Sequence, residues 1–124
     1  MTIQEQLECR VGEVVRRVIA ELPPDLRTLA ERFPVYCEWE ISAHWFEEGV
    51  ADDSMGLFSG PALNEPTDPD CLESPSITFF LAKLWDYCGK DLQTFDEEVR
   101  IPYIHEFGHY LGLDESELEA RGLL

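Results

Sequence analysis

Two of the chain's three histidines stand four residues apart, in the stretch Ile104-His105-Glu106-Phe107-Gly108-His109-Tyr110-Leu111-Gly112-Leu113-Asp114-Glu115. On a helix, residues four apart differ by about 40° in direction and lie one turn apart, so His105 and His109 can aim both imidazoles at one point. Glu106 falls about 100° from His105 and about 60° from His109 on the same wheel, beside that point. Imidazole nitrogen is a favoured ligand for zinc, and a carboxylate next to the ion can carry a proton without binding the metal. Ile104, Phe107 and Leu111 fall on the other side of the wheel, where they can anchor the helix in a core. The same string can also occur in a helix that binds nothing.

A catalytic zinc site has three protein ligands and an open position for water. Gly112 follows the second histidine where a helix can end in a left-handed residue, and Asp114 and Glu115 beyond it can fold back toward the ion. In the extended metzincin pattern the third ligand comes three residues after the glycine, which here is Glu115. Asp114 is the alternative, one residue away, since zinc accepts either carboxylate. Zinc would lower the pKa of the bound water toward about 7, and Glu106 would take its proton as general base and pass it to a leaving amine. Tyr103 and Tyr110 are candidate oxyanion donors, although a helical tyrosine more often packs. His44 lies in a distant acidic stretch and is expected to face solvent.

The elements that must position these residues are legible in part. Residues 3–22 read as an amphipathic helix, with Ile3, Leu7, Val11, Val14, Val15, Val18, Ile19 and Leu22 at steps of three and four. Pro23 and Pro24 end it, and 25–33 can form a short second helix. Val35 to Ile41 alternates as a strand with one buried face. Residues 42–55 read as an acidic connection, 56–60 as a strand end or tight turn, and 61–75 as an exposed proline-rich loop. Ser76 to Ala82 is a second strand, rich in β-branched and aromatic residues. Residues 83–90 are ambiguous between turn and helix, and 91–112 return to helical periodicity. Pro102, one turn before His105, predicts a kink or a late helix start.

Composition narrows the function. The 124 residues carry a net charge of −17, which repels nucleic acid and anionic lipid and leaves no basic patch for either. That charge serves solubility, or a preference for basic peptides and partners. No apolar run reaches the roughly 18 residues of a membrane helix. Met1-Thr2-Ile3-Gln4-Glu5 does not begin a secretory signal, so the expected compartment is the cytoplasm. The four cysteines, Cys9, Cys37, Cys71 and Cys88, form no close pair and read as free thiols, although Cys71 and Cys88 could approach each other in the fold. Length fits one domain over 1–124.

The chain resembles the small bacterial zincin-like metallopeptidase family over residues 11–124. The resemblance is carried by Glu21-Leu22-Pro23, Gly56-Leu57-Phe58-Ser59-Gly60, Ser76-Ile77-Thr78-Phe79-Phe80, Glu98-Val99-Arg100 and above all His105 to Glu115. It implies an α+β fold, a minimal zincin fold with a small mixed sheet packed against an N-terminal helix and the active-site helix. It implies zinc on His105, His109 and a carboxylate after Gly112, with Glu106 as general base. Family members commonly carry aspartate where this chain has Glu115. The strand before the active helix often borders the cleft in such folds, so Ser76–Ala82 is expected either to pair with an extended substrate or to be an interior strand of the sheet. The implied activity is hydrolysis of peptides or unfolded protein segments. The competing reading is a zinc-stabilised interaction module without turnover.

Overall fold

The computed structural model describes residues 1–61, 63 and 75–122. Cys71, and with it any approach to Cys88, lies outside the described residues, as does most of the expected loop 61–75.

The first helix, α1, spans Ile3–Glu21. Thr2 caps it in a reciprocal box with Glu5, satisfying amides that the first turn leaves unpaired. Leu7, Val11, Val14, Val15 and Val18 form its buried stripe, as the spacing predicts, whereas Ile3 stays exposed at the end. Pro24 opens α2 (Pro24–Glu31), where its missing N–H costs nothing.

Three strands follow among the described residues: β1 (Val35–Glu38), β2 (Gly56–Ser59) and β3 (Ser76–Phe80). Their order is β1-β3-β2, with β1 parallel and β2 antiparallel to β3. The fold is therefore α+β with a small mixed sheet. β1 is shorter than the expected 35–41. β3 ends at Phe80 because Leu81 and Ala82 open α4 (Leu81–Tyr87), where Leu81 and Leu84 are buried.

The expectation that Ser76–Ala82 would receive a substrate strand is corrected by this order. β3 is central and buried along its length, with β1 bonded to one edge and β2 to the other. No backbone edge remains for a third partner.

Between β1 and β2 the acidic connection contains a short helix, α3 (Ala43–Glu47). Trp45 fixes it from outside: its indole N–H donates to Glu38 at 2.6 Å, and its ring meets Phe80 edge-on at 6.4 Å.

The long helix α5 spans Leu92–Leu111 and is capped by Asp91. It runs through Pro102, so the proline does not delay its start. The structure then turns at Gly112 into α6 (Glu115–Ala120), a helix with no counterpart in the sequence reading. Asp114 caps α6 through the Glu117 amide at 2.8 Å.

α1 and α5 lie together on one face of the sheet. Leu7 and Val11 of α1, Ile77 and Phe79 of β3, and Phe95, Val99 and Tyr103 of α5 share one core. Arg10 forks onto Asp96 with bonds of 2.9 and 2.8 Å, pinning the two helices in register. Among the described residues, no helix is long and apolar enough to cross a membrane.

Candidate metal centre

The second half of α5 carries His105, Glu106 and His109. Its opposite face buries Tyr103, Ile104, Phe107 and Tyr110, so the core fixes the rotation of the helix and turns the two imidazoles outward. The Nε2 atoms of His105 and His109 approach to 3.1 Å, with ring centroids 4.7 Å apart. Two nitrogens at about 2.0–2.1 Å from one tetrahedral zinc stand about 3.3 Å apart, so this spacing fits a shared ion. Without an ion, one ring donates its N–H to the other.

Glu106 is half-buried beside the pair. Burial pushes its carboxyl above the ordinary value, while the nearby His109 and His105 and the Phe58 backbone N–H pull it back. That amide comes from β2, and the packing that brings it is aromatic. Phe33, at the end of α2, stacks on Tyr110 at 5.0 Å and packs against Phe107 at 5.7 Å and Phe58 at 6.0 Å. The cluster clamps β2 against α5. The Phe58 amide is a site group that sequence reasoning missed, because a backbone N–H carries no residue signature.

The free face of that amide follows from strand register. Phe80 N–H donates to Met55 C=O at 3.0 Å, which makes this a hydrogen-bonded pair. Alternation then turns Leu57 and Ser59 toward Thr78 and Ser76, and turns the backbone groups of Gly56 and Phe58 away from β3. β2 is an edge strand of the described sheet, and its outward amide faces the candidate base.

Gly112 has φ 76°, ψ 22°, the left-handed cap that its position predicts, and Leu113 N–H returns to Gly108 C=O at 2.9 Å. The turn carries Glu115 to His105, but against the far side of the ring: its Oε1 lies 3.6 Å from Nδ1. Glu115 is thus placed beside His105 without joining the two Nε2 atoms. Asp114 is engaged as the α6 cap. Among the described residues, no group of three or more His, Cys, Asp and Glu side chains converges on one point.

The tyrosines are packing residues. Tyr103 is fully buried on the core face, parallel to Phe107, and its hydroxyl has no partner among the described residues; Tyr110 lies in the Phe33 stack. Neither faces the imidazole pair. His44 is exposed on α3, away from α5, as expected.

This arrangement of an imidazole pair with an adjacent carboxylate, on a helix packed under a small sheet, defines a class. A family model described as zincin-like metallopeptidase matches residues 38–123, and the chain belongs to that family. The matched part begins at the end of β1, so Glu21-Leu22-Pro23 and helices α1 and α2 stand outside it. No curated protein matches the chain.

Proposed function

We propose that the chain is a zinc-dependent peptidase, with His105 and His109 as metal ligands, Glu115 as the third, and Glu106 as general base. The observation that carries this reading is the 3.1 Å approach of the two Nε2 atoms with a half-buried carboxylate beside them. Glu115 lies 3.6 Å from His105 Nδ1 and is three-quarters exposed, so its carboxylate is placed beside the pair and its side chain is free of the core.

Zinc held there would supply a Lewis acid that polarises the scissile carbonyl and lowers the pKa of the attacking water. Glu106 takes the proton from that water and delivers it to the amine nitrogen as the C–N bond breaks. Its carboxylate stands beside the imidazole pair, where it would hold the proton between the two transfers. The outward backbone of Gly56 and the Phe58 carbonyl would receive the peptide main chain as an added strand, setting the scissile bond beside α5.

The test is Glu106→Gln in zinc-loaded protein, assayed with a broad peptide library and a chelator control. The peptidase reading expects wild-type cleavage that the chelator abolishes, and a variant that keeps zinc but does not cleave. Zinc binding without cleavage by either protein would support the interaction module instead. Absence of zinc binding would overturn both.

A further inference from the structure

Beyond the imidazole pair, a pocket of about 230 Å³ opens on the other face of the sheet, between α3 and β2. Its lining includes His44, Trp45, Glu48, Val50 and Leu57, and it extends along β2 to Phe58, Ser59 and Gly60. Phe58 is therefore shared: its amide reaches Glu106, and the same residue borders this pocket.

We propose that this pocket selects a basic side chain, arginine or lysine, of a peptide laid along β2, and that Glu48 determines the preference. The inference rests on the peptidase reading for its substrate and extends it to specificity.

Side chains alternate across a strand, so residues of a peptide added to β2 project alternately toward α5 and toward the face that carries Leu57 and Ser59. The pocket lies on that second face. Ligand sites for whole small molecules run to about 300–1,000 Å³. A volume of about 230 Å³ suits one long side chain.

Trp45, Val50 and Leu57 supply apolar and aromatic walls for an aliphatic stem, and an indole attracts a cation at its face. Glu48 is the one carboxylate among the described lining residues, His44 is the one other ionisable side chain there, and no lysine or arginine is among them. Trp45 is held by Glu38 and Phe80, so the wall is in place before a ligand arrives. The net charge of −17 adds a long-range bias of the same sign.

The experiment measures binding by zinc-loaded Glu106→Gln protein, so that cleavage does not interfere. Fluorescent peptides carry arginine, norleucine or glutamate, scanned through one otherwise neutral sequence, at about 0.15 M salt. At one position arginine should bind about fivefold tighter than norleucine, the scale of a partly exposed ion pair. Glu48→Gln should remove that preference, and Glu48→Lys should shift it to glutamate. Glu13→Gln on α1, across the sheet, removes the same charge and should leave the preference intact.

Equal binding of all peptides, or an arginine preference that ignores both position and Glu48→Gln, would overturn the pocket assignment. So would no binding. If the Glu48-dependent preference holds while zinc-loaded wild-type protein cuts none of the peptides, the pocket stands and the peptidase reading fails. If the peptides are cut without regard to basic side chains, the peptidase stands and the pocket assignment fails.

Discussion

Gly108 and Leu118 are in contact so close that a methyl group on Gly108 would lie 2.5 Å from Leu118 Cδ1 and 3.2 Å from its Cγ. Gly108 sits between the two candidate ligands on α5, and Leu118 is buried on α6. The missing side chain is what lets α6 pack against α5 and brings Glu115 beside His105.

Gly108→Ala therefore sets two effects against each other. Alanine improves helix propensity by about 1 kcal/mol, while overpacking of a buried contact costs about 1–3 kcal/mol. Net destabilisation of up to about 2 kcal/mol is expected from urea unfolding. In a Leu118→Ala background the clash is gone, so the same substitution should stabilise. Additive effects in that double-mutant cycle would show that the contact does not govern the docking of α6.

Glu115 and Asp114 are adjacent but should respond differently. Glu115→Ala should weaken zinc binding by about 10–100-fold, whether the carboxylate ligates directly or orients His105 through Nδ1. X-ray absorption separates the two: loss of one oxygen from the zinc shell means ligation, and an unchanged shell means orientation. Asp114→Ala should lower thermal stability through loss of the α6 cap and leave the zinc shell unchanged. Unaltered zinc affinity in Glu115→Ala would remove it from the site.

Tyr103 buries a hydroxyl with no hydrogen-bond partner among the described residues. Desolvation of that group is an uncompensated cost, so Tyr103→Phe should leave stability unchanged or raise it by up to about 1 kcal/mol. Zinc affinity and cleavage should be unaffected. A loss of more than about 1 kcal/mol in denaturant titration would mean that the hydroxyl is satisfied by something such as a buried water.

Cys37 links stability to alkaline pH. Burial, helped by the charge of Glu8, raises its thiol from 9.0 to about 12. The neutral thiol is thus favoured in the folded state relative to the unfolded chain. Its stabilising contribution is complete below about pH 9 and is lost as pH rises toward about 12. The stability of wild-type protein should fall more steeply than that of Cys37→Ala between pH 9 and 11, measured by urea unfolding. Parallel pH profiles would show that the thiol ionises as easily in the fold as outside it.

What the chain determined by itself is what short-range periodicity controls. The stripe on α1, the proline that opens α2 and the left-handed cap at Gly112 follow from side-chain spacing and backbone sterics within a few residues. So does the convergence of His105 and His109, because an interval of four residues on a helix leaves their rings little choice of direction. Tertiary structure decided the rest. Strand order placed β3 in the centre and left β2 at the edge, since pairing depends on partners distant in sequence. The short helices α3 and α6 carry too little local signal to be read and exist through Trp45 and Leu118 packing on other elements. The Phe58 amide reaches Glu106 because an aromatic cluster, assembled from three separate stretches of chain, presses an edge strand against a helix. A backbone donor acquires its role only when packing chooses its neighbour.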